Sequence, residues 1–479
     1  MHIRHISSRL ALLLALPLLL VPALVACDDD AEESNTPLTI EEKKALRVEL
    51  LAASDDFTFE SPPATSSRDC DIQLEAAGTA DADALILAID GASSYAVICL
   101  KPGSYAMDKS IVISDASNIT IKGIGDGPED TILDFAGHTG DKGFDVTTPG
   151  FWIENLYIKN TTGNGVEVKA QGTADNPSVF RKLKVDWDID AAAVLDCGDD
   201  DPRRDHGAYS VYPTRSSYAI VEFSEVEGAS DAGLYIGQVE HGIVRHNFVH
   251  GNVAGLEVEN SFDVEVRNNT VTGNSGGILA LQEPGLTRLA NDTVLIRDNV
   301  VDANNGCNFA KPNTTVSNIP AGTGMMSFSG VNIEFRDNTV TNNNATGLLI
   351  VSNVLLSLIA GEAPSYPTGY DPYAHEIYVN GNTFTGNGSM PIGIAAVLAN
   401  VAGGFDAVVW DGFYASTTAD AAAAKVCLGE TALPTFVDLS NNLCQEPEDE
   451  GAFIACVATN STNDVTAHTC TGSVTVTSF

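Results

Sequence analysis

The sequence predicts an all-β solenoid, a parallel β-helix, and three observations support this fold class. Pairs of asparagines five residues apart recur along the chain, in copies that begin at Asn155, Asn247, Asn269, Asn299, Asn338 and Asn382. Strand-sized segments separated by Gly, Asn or Asp turns continue to about residue 400. No long helical periodicity interrupts them, whereas a βαβ sheet needs regular crossover helices. A unit of about 20–30 residues with three short strands, stacked roughly a dozen times, accounts for all three observations.

The N-terminal residues have the pattern of an export signal. Arg4 and Arg9 precede an apolar run from Leu10 to Val25, which is shorter than the roughly 20 residues of a comfortable membrane span. Residues 24–27, Leu-Val-Ala-Cys, resemble the bacterial lipobox, which implies cleavage after residue 26 and a lipid on Cys27. An ordinary cleaved signal with a chance cysteine is the alternative. We therefore expect an exported protein of the bacterial cell envelope, anchored to a membrane through Cys27, on the periplasmic or the cell-surface side.

The remaining chain divides into three parts. Residues 27–70 are expected to form an acidic tether and a short helical segment, which a capping box at Thr39 and Glu42 opens and which ends near Ala53. A second short helix is expected from Asp81 to Asp90. Residues 71–400 then form the solenoid, and residues 401–479 form a C-terminal cap.

The net charge disfavours several classes of partner, and the cysteines indicate the redox compartment. The formal net charge is −39, and loss of residues 1–26 takes it to −41, which disfavours nucleic acid, anionic lipid and polyanionic polysaccharide unless calcium or a local basic patch intervenes. Eight cysteines besides Cys27 are expected to pair in an oxidising compartment. Proximity favours Cys70 with Cys99 and pairing among Cys427, Cys444, Cys456 and Cys470, and this leaves Cys197 with Cys307.

Strand alternation assigns side chains to the interior or the exterior of the coils. Leu256 and Val258 are expected to point inward, and Glu257 and Glu259 outward. Alignment of Gly165, Gly233 and Gly255 places Glu167, Tyr235 and Glu257 in one outward column. Lys169 and Glu259 fall two residues further on, and the strand from Tyr209 to Tyr212 lies between these coils.

Two stretches resemble known families. Residues 97–124, with Leu-Lys-Pro-Gly-Ser-Tyr at 100–105, look like the start of pectate-lyase-like right-handed β-helices. Residues 143–387, above all 206–213 and 228–238, resemble the bacterial parallel β-helix repeat lipoproteins. This resemblance implies a right-handed coil and a neighbouring secreted protein as partner, but no established activity. More distantly the chain resembles polysaccharide lyases and mannuronan epimerases; Asp201-Pro202 matches half of an epimerase motif whose histidine is missing.

The outward columns around Tyr235 form the candidate site. Carboxylate, imidazole, tyrosine and cation on one strip can transfer protons on a sugar ring. The candidate catalytic residues are His206, Tyr212, Asp231, Tyr235 and Glu257, and the candidate binding residues are Lys169, Arg215, Gln238 and Glu259. We expect a non-catalytic protein that binds a glycan or a protein partner; a polysaccharide lyase, hydrolase or epimerase is the alternative. An ordinary solvated sheet face is the simplest explanation of the strip.

Other conspicuous features are interpreted as scaffold. The asparagines are expected to hydrogen-bond along the axis, and Arg245, Arg267, Arg297 and Arg336 to pair with nearby acids. The spacing of His241, His246 and His250 does not favour a metal site, and no cofactor is expected, although the acidic loop 196–202 could hold calcium. An apolar outward stripe from Leu279 to Val351 should be covered, either by the insertion 354–359 or by a partner protein.

Overall fold

The computed structural model describes residues 39–53, 58, 59, 61, 70–189, 193, 195–359, 365–415, 418, 420–445 and 450–479. The predicted signal peptide and Cys27 lie outside these residues. Residues 38–479 form one compact unit.

The strands stack in three parallel columns, as the repeat predicts. Column A contains Ile72–Leu74, Val97–Leu100, Thr120–Gly123, Trp152–Lys159, Ser178–Asp186, Ser217–Glu222, Glu240–Arg245, Phe262–Arg267, Asp292–Arg297, Val331–Arg336, His375–Asn380 and Val426–Cys427. Column B contains Gly103–Ala106, Thr131–Asp134, Glu225–Glu227, Phe248–His250, Thr270–Thr272, Val300–Asp302, Thr339–Thr341 and Thr383–Thr385. Column C contains Lys109–Ile113, Thr139–Val146, Asn164–Val168, Tyr209–Pro213, Ala232–Gly237, Ala254–Glu259, Gly276–Leu281, Thr323–Phe328, Thr346–Val351, Val408–Trp410 and Phe436–Asp438.

Columns A and B form a 20-stranded sheet and column C a separate 11-stranded sheet. The long strands Trp152–Lys159 and Ser178–Asp186 belong to both A and B, because their two halves pair with different neighbours. The complete coils contribute one strand to each column, whereas among the described residues the coil of Ile72–Leu74 has no strand in columns B and C and the coil of Val426–Cys427 has none in column B. The twelve strands of column A confirm the prediction of about a dozen stacked units.

Six helices lie at the ends and on the outside of the described coils: α1 Ile40–Ala53, α2 Asp81–Asp90, α3 Asn353–Ile359, α4 Gly393–Ala402, α5 Ala421–Ala424 and α6 Glu450–Asn460. The predicted capping box begins α1: the Thr39 backbone N–H donates to Glu42 at 2.8 Å, and the Glu42 N–H donates to the Thr39 hydroxyl at 3.3 Å. Among the described residues, no helix is long and apolar enough to cross a bilayer.

Inward side chains of equal register build the solenoid core. Leu234, Leu256, Ile278, Met325 and Leu348 pair in sequence down column C, and all five are buried. Each such side chain stabilises the fold by about 2 kcal/mol relative to an exposed one. The alternation predicted for Leu256 and Val258 is confirmed.

Two asparagine ladders follow the turns on either side of column B. The Nδ2 of each asparagine donates to the Oδ1 of the next, at 2.9 to 3.2 Å. One ladder is Asn247, Asn269, Asn299, Asn338 and Asn382, and the other is Asn252, Asn274, Asn304, Asn343 and Asn387. Because each Nδ2 also donates to a backbone carbonyl of the preceding coil, the amides satisfy turn groups that would otherwise be buried without partners. The predicted ladder is confirmed.

The left-handed backbone positions lie one residue before the first ladder and are not the ladder asparagines themselves. His246, Asn268, Asp298 and Asp337 have φ values between +54° and +57°, whereas the ladder asparagines do not have positive φ. Asn155 has φ +56° and its neighbour Leu156 pairs with Leu183, so it belongs to the left-handed column and not to the ladder. The alignment of this earliest copy was wrong by one residue.

The arginines of column A pair with carboxylates, as expected. Glu222 accepts from Arg181 at 2.6 Å and from Arg245 at 2.8 Å, and all three side chains are buried. Glu265 lies 3.1 Å from Arg267 and 2.7 Å from Arg297. The row therefore stabilises the sheet and does not present free cations to an anionic ligand.

Four disulfides join the pairs Cys70–Cys99, Cys197–Cys307, Cys427–Cys470 and Cys444–Cys456. They match the predicted pairings and the disulfide-containing C-terminal region. Beyond Cys470 the chain lies along the outer face of column A. There the Val474 N–H donates to Glu334 at 2.8 Å, the Thr477 N–H donates to Asp263 at 2.7 Å, and Phe479 packs on Tyr218.

Candidate functional site

The predicted outward column is present in column C. Tyr212 pairs with Glu167, and Tyr235 pairs with Glu257. Val211 pairs with Leu234, so Tyr212 and Tyr235 are neighbours along the stack. The four side chains Glu167, Tyr212, Tyr235 and Glu257 therefore follow one another along the axis on the outer face, as the alignment of glycines predicts.

This outer face is not open along its whole length, which corrects the expectation of an exposed strip. Tyr235 is 5% exposed, Glu257 2% and Glu259 8%. They lie beside a second apolar cluster, to which the segment 307–319 contributes Phe309, Ala310, Val316 and Ile319. The Cys197–Cys307 bridge fixes one end of that segment, and the Arg203 guanidinium lies 4.2 Å from the centre of the Phe309 ring.

Three tyrosines form a compact cluster where the cover ends. The ring centroids of Tyr209 and Tyr212 are 4.5 Å apart, those of Tyr209 and Tyr235 are 4.4 Å apart, and those of Tyr212 and Tyr235 are 4.8 Å apart. Tyr209 and Tyr212 are half-buried, whereas Tyr235 is buried. Pairs at this spacing hold each other in place, so the exposed edges of Tyr209 and Tyr212 are presented on a rigid base.

Four carboxyl groups lie beneath and beside these rings. Burial raises the pKa of Asp231 to about 7, although a hydrogen bond from the Tyr209 hydroxyl at 3.4 Å opposes the rise. Burial, with repulsion from Asp231 and Glu283, raises the pKa of Glu257 well above its ordinary value, and burial and the same two neighbours do so for Glu259. Burial also raises the pKa of Glu283 to about 7. The cluster therefore holds protons at a pH at which ordinary carboxyls are ionised.

The sequence did not predict that Glu283 belongs to this cluster. It lies in the irregular segment after Gly276–Leu281, where alternation assigns no direction to a side chain. One Oε atom each of Glu257 and Glu283 is buried without a hydrogen-bond partner in the described chain.

The open end of the strip carries charges of both signs. Lys142 lies 3.0 Å from Asp145 and 3.3 Å from Glu167, and Lys169 also pairs with Glu167. The Asn164 amide donates to Glu167 at 2.7 Å. These groups are half-buried except for the buried Glu167. Arg215, at the adjoining turn, is exposed and has φ +47°.

Two candidate residues have other contacts. His206 stacks on Trp187 with centroids 5.4 Å apart, its Nδ1 lies 2.8 Å from the Gly228 carbonyl, and burial lowers its pKa. It thus belongs to a corner beside the strip, and its role in proton transfer stays a prediction. The Gln238 side-chain oxygen accepts from the backbone N–H groups of Thr287 and Arg288, so it holds a loop instead of facing a ligand.

The histidines and the acidic loop have local partners. His241 lies 2.6 Å from Asp263, His246 stacks on Phe223, and His250 lies 3.3 Å from Glu225. In the acidic loop the Asp201 carboxylate accepts from Arg203, which lowers its pKa to about 2. Within the described ranges no group of three or more His, Cys, Asp or Glu side chains is arranged to hold a metal ion. Calcium binding by the loop stays a prediction.

The apolar stripe further along column C is covered. Val354 and Leu355 of the predicted insertion pack against it, together with Leu398 of α4 and Phe453 of α6. The insertion was therefore identified correctly, but the C-terminal helices contribute to the cover as well.

Comparison with known proteins concerns the fold. Residues 201–358 match the family described as "Right handed beta helix region". No curated protein matches the chain. Among solved structures, the A-module of the Azotobacter vinelandii mannuronan C-5 epimerase AlgE4 is similar at 13% identity and a TM-score of 0.41, over 64% of this chain and 90% of that one. An alginate lyase from Paenibacillus sp. is similar at 15% identity and a TM-score of 0.39, over 65% and 94%. Pectin methylesterase from carrot is similar at 14% identity and a TM-score of 0.32, over 68% and 86%. The stacked parallel columns and the family match over residues 201–358 thus show that the chain has the fold of a right-handed parallel β-helix.

Proposed function

We propose that the half-open part of column C, from Lys142 to Asp231, binds an uncharged glycan without chemical conversion. The observation that carries this proposal is the rigid cluster of Tyr209, Tyr212 and Tyr235 at the edge of the covered face. Tyrosine rings offer an apolar face to the C–H groups of a sugar and a hydroxyl to its oxygens. The strip is thus suited to a ligand that is both apolar and rich in hydroxyl groups.

Charge argues for an uncharged ligand. The charges of Lys142 and Lys169 are balanced by Glu167 and Asp145 together, and Asp231 adds a further acidic group. The whole chain carries a net charge of −39. A polyanionic glycan would be repelled at long range and would find no unpaired lysine at Glu167.

The proposal places this binding at the bacterial cell envelope, with the mature chain anchored to a membrane through a lipid on Cys27. The lipobox-like residues 24–27 support the anchor. A secreted protein is the alternative partner for the same face. Labelling of Cys27 with a fatty-acid analogue in the producing cell, compared with a Cys27→Ser variant, tests the anchor independently of glycan binding.

Replacement of Tyr212 tests glycan binding directly. A glycan array with residues 38–479 identifies the ligand, and calorimetry then measures its affinity. Tyr212→Ala is expected to weaken binding by about 2 kcal/mol, or roughly 30-fold, because aromatic anchors dominate such sites. Tyr373→Ala, which removes another half-buried tyrosine, one that donates to Gln445 and lies outside the strip, is the matched control. Unchanged affinity after Tyr212→Ala, or no retained glycan with the parent protein, contradicts the proposal.

Acid–base catalysis on the glycan is the second candidate, and the Asp231 pKa of about 7 favours it. A protonated Asp231 beside Tyr209 could donate to a glycosidic oxygen. Assays for new reducing ends and for unsaturated products, with and without calcium, are then expected to show turnover that falls as the pH rises through about 7, since the acid must be protonated. Asp231→Asn would abolish it. If the protein binds the glycan but forms no product at about pH 5 or about pH 8, the function is binding without catalysis.

A further inference from the structure

An apolar cavity of about 100 Å³ lies between column C and its C-terminal cover. Leu281, Met326, Phe328, Leu349 and Val351 form its floor. Its walls come from α3, α4, Phe405 and residues 315–320. Thr315, Asn318 and Ser352 are its polar lining residues, and none of the lining residues is charged. A cavity with a mainly apolar lining of this kind can accept a hydrocarbon ligand.

The protein surface beside this cavity is apolar as well. Met390 is 63% exposed, Ile392 55%, Val397 43% and Ile359 36%. Ile359 lines the cavity, and the other three lie on or just before α4, whose residues Ile394, Ala395 and Leu398 line it. We call these four exposed residues the rim.

The rim lies in sequence segments without charge. Residues 338–361 and 377–405 contain no Asp, Glu, Lys, Arg or His, although 19% of the chain is charged. These segments include α3 and α4 entirely. The two segments that carry the rim therefore contribute no charge to the surface there.

The charge of the whole chain indicates which ligand fits the cavity and its rim. Two copies with a net charge of −39 each repel one another, and an anionic lipid surface is repelled too. A lipid whose headgroup has no net charge is not repelled in this way. Burial of apolar side chains at a membrane interface and burial of an acyl chain in a protein follow the same energetics, because each removes hydrocarbon from water.

We propose that this end of the solenoid binds the hydrocarbon chain of a zwitterionic lipid, with the rim resting on the lipid surface. The site is separate from the glycan strip and involves other residues. It also differs from the anchor at Cys27, because the chain that starts at residue 38 contains all of it.

Co-sedimentation with phosphatidylcholine vesicles tests the proposal on residues 38–479, which form one compact unit. The parent is expected to sediment with the vesicles, and the triple variant Met390→Glu, Ile392→Glu and Val397→Glu to lose at least about tenfold in partition, because three exposed apolar groups that contact the lipid become charged. Leu87→Glu is the matched control, since Leu87 is 74% exposed on α2 outside the rim. Ala395→Phe fills the cavity and leaves the rim intact, and it is expected to weaken sedimentation several-fold.

Three results overturn the proposal. The first is a parent that stays in the supernatant, and the second is a triple variant that sediments as the parent does. The third is a parent that is dimeric in analytical ultracentrifugation while the triple variant is monomeric, which would make the rim an interface between copies. Vesicles with added phosphatidylglycerol are expected to bind less, and stronger binding to them would contradict the argument from charge.

Discussion

Asn269→Ala is expected to destabilise the coils around it by about 4 kcal/mol. The side-chain oxygen Oδ1 of Asn269 accepts from the backbone N–H of Asn247 at 3.0 Å and from the Nδ2 of Asn247 at 2.9 Å. The Asn269 amide donates to the Val244 carbonyl at 3.0 Å and to Asn299 at 3.0 Å. The substitution takes these bonds from the buried Asn247 backbone N–H and the Val244 carbonyl, whereas the Asn247 side-chain amide still donates to the Val221 carbonyl and the Asn299 side-chain oxygen still accepts from the Asn269 backbone N–H. Each buried group left without a partner costs about 1–3 kcal/mol.

The measurement has to be local, because solenoids unfold by neighbouring repeats. Amide hydrogen exchange at Asn247 is expected to accelerate strongly in the variant, together with a lower midpoint in urea. Asn400→Ala, at an exposed position of α4, is the control and should leave both quantities unchanged. If Asn269→Ala exchanges at the rate of the parent, the ladder is a consequence of the stacked turns and does not hold them.

The ladder shows how far sequence reasoning reaches in a repeat protein. Register follows from spacing, since a stacked side chain must recur in every coil, and for this reason the partners of Asn247 could be predicted. Conformation does not follow, because Asn is common both at ladder positions and at left-handed positions. Asn155 was therefore assigned to the ladder, although its backbone shows that it belongs to the column one residue earlier.

The sequence predicted which residues of the candidate site align along the strands, but it did not predict how deeply they are buried. Alternation places Tyr235 and Glu257 on the outside of the coil, and they do lie there. Whether an outer position is open depends on what crosses it, and the cover at residues 307–319 comes from an insertion between strands. The Cys197–Cys307 pairing was the one available signal that this insertion folds back toward the site. Glu283 and the contacts of His206 depend on irregular backbone, for which periodicity gives no rule.

The buried carboxyls predict an unusual dependence of stability on pH. Their folded pKa values are raised, to about 7 for Asp231 and Glu283, whereas unfolded carboxyls have pKa values near 4. The folded chain therefore binds more protons than the unfolded chain between about pH 4 and pH 7. These groups lower the free energy of unfolding as the pH rises through that window. The lowered pKa values of His206 and His468 act in the opposite direction near pH 6, so the parent curve alone is not decisive.

Glu257→Gln isolates the contribution of the most deeply buried of the four carboxyls beside the tyrosines. Glu257 has an oxygen without a hydrogen-bond partner, and its pKa is raised by burial and by Asp231, so its ionisation opposes folding. The amide keeps the shape and cannot ionise. We expect the variant to match the parent at about pH 4 and to exceed its free energy of unfolding by about 2 kcal/mol at about pH 8, as measured by urea unfolding of residues 38–479. Glu430→Gln, at an exposed position, should shift neither value. A loss of stability that is equal at both pH values would show that the Glu257 carboxylate is paired in solution, because removal of an unpaired buried charge can only stabilise the fold where that charge exists.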